Sequence, residues 1–274
     1  MKRILVPTDF SAHAENALKV AAQIAKKNNC EIFLLHMLEV PSQMNDAITG
    51  ASGIPEVMLF LQKAKEALET TKTKNFLKGI EISAHLKFEK AHDGILTFSK
   101  KNNIDLIVMG SHGVSGIEEM LVGSNTERVV RLSEIPVLVI KKDTTEFKTS
   151  HFVFASDFSK EIKSPFKKMM EFASIFDAHL HLVMICTPNS FKPTALSEKI
   201  MREFVADFKI KNYTTSIYND VNIEKGIINF SNSINADLIG LCTHGRTGLS
   251  HFFTGSISED LVNHTRKPVI TFKI

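Results

Sequence analysis

The sequence predicts an α/β protein of two tandem domains, each a parallel sheet with helices on both faces. Three observations carry this. Strand-like apolar runs alternate with helix-periodic segments, the whole pattern occurs twice in 274 residues, and a short polar stretch, "KKDTTEFKTS", separates the two occurrences. Strands alternating with helices build right-handed βαβ units, whose sheet is parallel and covered on both sides.

The repeat is legible residue by residue. "ILVPTDFSAHAENALKVAAQIAKKNNCEIFLLHMLEV" is echoed by "FVFASDFSKEIKSPFKKMMEFASIFDAHLHLVMICTP", which sets Asp157 148 positions after Asp9. "DLIVMGSHGVSG" is echoed by "DLIGLCTHGRTG", with Gly245 132 positions after Gly113. The first copy therefore carries about sixteen extra residues, near "VPSQMNDAITGASGIPEV", whose Gly, Ser and Pro content reads as a loop. Domains at 1–142 and 149–274 follow.

In the first copy "RILVP" reads as a short strand ending before Asp9. Ser11 is placed to cap a helix whose small apolar stripe is Ala14, Ala17, Leu18, Ala21 and Ile24. "EIFLLHM" is the second strand, followed by the loop and a helix around 56–76. "EISAHLKF" alternates like a strand, residues 93–102 make a short helix, and "DLIVMG" is a fourth strand. Ser124 is placed to cap the next helix, and "PVLVI" closes the copy. The Met and Phe of "KKMMEFASIF" read as core filler.

Composition narrows the function classes. A hydrophobic fraction of 43% and a charged fraction of 23% are those of a soluble globular protein. The net charge is +3 with lysines scattered, so no basic stripe points to a nucleic-acid partner. The apolar run in "MKRILVPTDF" is too short for a signal-peptide core, and no later run approaches a membrane span. A cytoplasmic protein without a membrane partner is expected. Cys30, Cys186 and Cys242 are too few and too scattered for a disulfide framework. His179 and His181 share a strand face, yet two histidines alone do not make a metal site, and none is expected.

The chemistry concentrates in "GSHGVSGIEEMLVGSNTERVV", residues 110–130. Gly110, Gly113 and Gly123 let backbone approach backbone or ligand closely, and Gly123-Ser124 opens a helix whose free N–H groups and dipole favour an anion. Asp9 follows the first strand and Gly110 ends the fourth, so both belong to the edge where parallel sheets bind ligands. An ionised Asp9 is acceptor-only and suits ribose hydroxyls or an adenine amino group. A Walker A loop is excluded, since no glycine precedes Lys-Ser or Lys-Thr. A Rossmann turn and an adenylating Gly/Ser loop would follow the first strand, where "VPTDFS" has no glycine. The G-x-S-x-G elbow of α/β hydrolases is absent from both copies.

With "VPTD", "LLHM", "GSHG", "GS" and "PVLV" in this order, the chain resembles the universal stress proteins in their tandem form, over essentially its whole length. That resemblance implies five parallel strands per domain in the adenine nucleotide alpha hydrolase-like fold and, in one branch of the family, bound ATP. It implies that Pro7, Thr8, Asp9 and the backbone at Met37 would hold the adenosine, with Gly110 under the ribose. Gly113, Gly123, Ser124 and Asn125, with His112 beside them, would take the phosphates. Any Mg²⁺ would bridge phosphates, because only one carboxylate is near. A second, weaker site is expected at Asp157, Ile185, Gly245, Arg246, Gly255 and Ser256, where Cys242 replaces Gly110 and would crowd the ribose. The last strands, "PVLVI" and "PVITF", would otherwise be exposed edges, and the resemblance implies that they meet in an internal pseudo-dimer. The implied function is an ATP-binding module of stress adaptation. It would turn over slowly at most, because the first copy's motif offers no arginine finger or Gln/Glu base. The alternative is a nucleotide-independent interaction scaffold.

Overall fold

A computed structural model of the protein describes residues 1–39, 54–111, 123–143, 146–243 and 261–274. The first copy runs β1 (Arg3–Pro7), α1 (Ala12–Asn28), β2 (Glu31–Met37), α2 (Ile54–Lys72), β3 (Ile82–Lys87), α3 (Ala91–Lys101), β4 (Leu106–Gly110), α4 (Ser124–Leu132) and β5 (Val137–Ile140). The second runs β6 (His151–Ala155), α5 (Lys163–Ser174), β7 (His179–Cys186), α6 (Thr194–Val205), β8 (Tyr213–Asn219), α7 (Ile223–Ser233), β9 (Leu238–Thr243) and β10 (Val269–Lys273). The helices expected at 56–76 and 93–102 are present, with ends displaced by one to four residues. Some of the first copy's extra length goes into α2, which has 19 residues against 12 in α6.

All ten strands form one sheet in the order β3-β2-β1-β4-β5-β10-β9-β6-β7-β8. Pairing is parallel within each copy and antiparallel at the single junction, where Val139 faces Val269 and Val137 faces Thr271. The two apolar last strands thus cover each other's edge. Two lysines cross the junction. Lys141 Nζ donates to the Val262 carbonyl, and Lys273 Nζ to that of Arg131 at 3.4 Å. Burial lowers the pKa of both, Lys141 to about 8.

Helix α1 shows why the elements settle where they do. Ser11 Oγ accepts the Ala14 N–H at 3.2 Å, and Asn29 closes the helix in the left-handed region at φ 49°. The buried stripe Ala14, Ala17, Leu18 and Ala21 is small, so the helix lies close to the sheet. On that face Val6, Leu34 and Val108 are buried; on the other, Leu5, Leu35 and Met109 pack with Ile95 and Val129. The second copy fills its helix–sheet space with rings. Phe166 lies edge-on to Phe154 at 5.2 Å and to Phe204 at 5.0 Å, and Met169 and Phe172 are buried core, as their composition implied. Among the described residues no helix is long and apolar enough to cross a membrane. The three cysteines are free and buried.

Candidate functional site

In each copy the strand order reverses between the first and fourth strands, so the loops after β1 and β4 diverge around a crevice. In the first copy this crevice is a cavity of about 170 Å³. Pro7, Thr8 and Asp9 form one wall and Gly123, Ser124 and Asn125 the opposite one. Leu35, Met37, Ile95 and Met109 supply an apolar floor, and Gly110 lies between the walls. The structure therefore brings together eight of the ten residues expected in the first site. His112 and Gly113 lie outside the described residues.

The β1–α1 turn is held by its own side chains. Thr8 N–H donates to Leu35 O at 2.8 Å, Thr8 Oγ1 accepts the Phe10 N–H at 3.0 Å, and Asp9 Oδ1 accepts the Ser11 N–H at 3.0 Å. Phe10 pays for this tight turn with a φ of 65°. Asp9 is half-buried, so its carboxylate holds the turn while facing the crevice.

Helix α4 starts one residue from where the sequence suggested. Gly123 is the cap residue, with φ −59° and ψ 139°, and Ser124 is the first helical residue. Gly123 N–H donates to Ser111 O at 2.8 Å, and its carbonyl accepts the Glu127 N–H at 3.1 Å. The N–H groups of Ser124 and Asn125 fall in the first turn, where no carbonyl of the helix can reach them. Buried Thr126 ties this end to the sheet through Oγ1 to Gly110 O at 3.0 Å.

Gly110 needs a different explanation from the one its place in the motif implied. Among the described glycines only Gly79 has a positive φ. A Cβ at Gly110 would lie 2.6 Å from the His13 carbonyl oxygen, so the close approach of α1 itself excludes a side chain. Gly94 was missed by sequence reasoning. A Cβ there would lie 2.0 Å from Met37 Cε, so this glycine makes the room in which Met37 reaches the crevice. Gly226 repeats the device, 2.5 Å from Ile185 Cγ2. The recurrence of glycine in "HDGILTF" and "EKGIINF" is the signal that could have revealed it.

The second copy repeats the turn. Asp157 Oδ1 accepts the Ser159 N–H at 3.0 Å, and Phe158 has φ 57°. Beside Asp157, Ile185, Cys186 and Lys192 the described residues enclose a cavity of about 10 Å³, and the wall opposite them lies outside the described residues. Cys242, expected to crowd a ribose, is instead part of the core at 1% exposure. Burial and the nearby Asp157 carboxylate push its thiol pKa up, so it is an inert apolar filler. The counterpart of the start of α1 is a 3₁₀ turn at Lys160–Ile162, and here the extra side chain is accommodated. Gly245, Arg246, Gly255 and Ser256 lie outside the described residues. Among the described residues no group of His, Cys, Asp and Glu is placed to hold a metal ion.

Comparison with known proteins agrees with this architecture. The universal stress protein Slr1230 of Synechocystis is 25% identical across the full length of both chains. Universal stress protein MJ0531 of Methanocaldococcus jannaschii is 32% identical over 53% of this chain and 85% of its own. Among solved structures, a universal stress protein from Archaeoglobus fulgidus superposes on 99% of this chain and 98% of its own, with a TM-score of 0.71 at 22% identity, a likeness of fold. The model of the universal stress protein family matches twice, over residues 1–141 and 148–273, and with both halves so matched the chain belongs to that family as a tandem member.

Proposed function

We propose that the first copy binds ATP in the crevice between β1 and β4, where Mg²⁺ would accompany the phosphates, and that the chain is an ATP-binding module of the stress response. The observation that carries this reading is the make-up of the 170 Å³ cavity: an apolar floor, a carboxylate on one wall and a helix N-terminus on the other. A planar base fits the floor, ribose hydroxyls suit Asp9, and phosphates suit the amides of Ser124 and Asn125. Met37 would fix the base, and Gly113 and His112 would continue the phosphate wall. The protein offers a magnesium ion one carboxylate, so the nucleotide would supply most of its ligands. Among the described residues that line the cavity there is no Arg, Gln or Glu, which supports turnover that is slow at most. The second copy serves chiefly as the partner that closes the β5 edge, with Cys242 in the place of Gly110 weakening any site of its own.

Equilibrium dialysis of the full chain against ATP tests the reading, with mass spectrometry of any nucleotide that copurifies. The expected result is close to one tightly bound ATP per chain. Asp9→Asn keeps an oxygen for the Ser11 N–H but removes the charge, and should weaken ATP at least tenfold, about 1.4 kcal/mol, with little change in melting temperature. No binding by the natural chain, or equal binding by the variant, would overturn the assignment.

A further inference from the structure

At the end of the sheet opposite the crevice, the second copy gathers three imidazoles where the first has none. His151 opens β6 and lies in register with His179 on β7, and His181 follows on the same face of the strand. By the repeat, these positions correspond to Arg3, Glu31 and Phe33. The His181 ring centroid is 4.5 Å from that of His179 and 5.3 Å from that of His151. His151 Nδ1 and His181 Nε2 are 3.1 Å apart, and His181 Nδ1 is 2.9 Å from Thr214 Oγ1 on β8. The Nε2 atom of His179 is buried without a hydrogen-bond partner. The three rings are not placed to hold a metal ion, so the chemistry left to them is protonation.

We propose that this histidine cluster is an acid-operated release of the outer edge of the second copy, loosening the pairing of β7 with β6 and β8 as the imidazoles charge. The His151–His181 contact accommodates a single hydrogen, because one nitrogen must donate and the other accept. Protonating both rings sets two N–H groups against each other at 3.1 Å and adds like charges a ring's width apart. Little nearby compensates that charge. Asp237 accepts the His151 main-chain N–H at 2.9 Å. β8 offers the hydroxyls of Tyr213 and Thr214, and α7 is charged only at Glu224 and Lys225, in its first turn. Burial, then His179 and His151, hold the His181 pKa down at about 4, against an ordinary 6.5. The unfolded edge therefore takes up a proton before the folded one. Its stabilising contribution is complete above pH 6.5 and is lost as pH falls from 6.5 to 4.

The first copy supplies the control. Its outer edge carries His36 on β2, whose Nδ1 lies 2.7 Å from Thr8 O, and half-buried His85 on β3, which is stacked on Phe33 and tilted against Phe98, phenylalanine rings rather than imidazoles, with its pKa lowered mainly by burial. Amide hydrogen exchange of the full chain, corrected for intrinsic rates, should show β7–β8 losing about tenfold in protection between pH 7.5 and pH 5, allowing for partial exposure of the rings. Loss in β2–β3 should be smaller. His181→Phe, which installs the first copy's residue, should abolish the excess loss. Should that variant fold poorly, His151→Ala at the exposed strand start should reduce it. Equal losses in both copies, an excess loss that survives both substitutions, or a His181 that titrates near 6.5 by NMR would overturn the proposal.

Discussion

In the first copy the turn after the first strand leaves Phe10 38% exposed against His36, ring centroids 4.6 Å apart. In the second the same turn carries Phe158 inward, 3% exposed, against Phe154 and Phe204. The backbone is shared: φ is 65° at Phe10 and 57° at Phe158, and each preceding aspartate accepts the N–H two residues on. What differs is the filling. Alanines under α1 bring that helix against Gly110 and leave a crevice at the sheet edge, whereas phenylalanines, Cys186 and Cys242 fill the second copy. A repeated backbone thus keeps its turns while the side chains behind them differ: Phe10 stays at the surface and Phe158 joins the core.

The largest test of this division separates the halves. Residues 1–145 alone would expose the free side of β5, an apolar edge of four buried residues that β10 now covers. This fragment should form a homodimer through β5, visible by analytical ultracentrifugation. A soluble monomer would mean that the second copy is not needed to close the edge.

Exchanging the residues that end the fourth strands comes next. Gly110→Cys would force a Cβ to within 2.6 Å of the His13 carbonyl, and overpacking of this kind costs about 2 kcal/mol. The reverse change, Cys242→Gly, removes a buried side chain and should cost about 1 to 2 kcal/mol by leaving a small void. Urea midpoints should therefore fall in both variants. If Gly110→Cys were as stable as the natural chain, the close approach of α1 would not be the reason for the glycine.

Much of this was legible before any coordinates. The repeat, the five strands per copy, the Ser11 cap and the apolar last strands all rest on local pattern, and local pattern is what a sequence displays. The residues around the first crevice were legible through their order along the chain. The reasons for individual residues were not. Gly110 answers to His13, 97 positions earlier, and Gly94 to Met37, 57 positions earlier; both are contacts between elements that only the packed fold brings together. Cys242 looked like an obstruction in a ligand site because its burial depends on how the neighbouring helix begins. The meeting of His151 with His179 and His181 depends on cross-strand register, which is invisible in one chain of letters.

The smallest expected difference lies in two serines that align in the repeat. Ser11 Oγ accepts the Ala14 N–H at 3.2 Å, whereas the Ser159 side chain caps nothing at the 3₁₀ turn that follows it. Losing a helix cap of this kind costs about 1 kcal/mol, because an N–H of the first turn is left to water alone. Ser11→Ala should therefore lower stability by about that amount, and Ser159→Ala by close to nothing, in parallel urea titrations. Because α1 starts at the wall that carries Asp9, Ser11→Ala should also weaken ATP slightly, while Ser159→Ala leaves it unchanged. Equal effects from the two serines would show that the helix starts are energetically alike, and the contrast between the copies would then rest on side-chain filling alone.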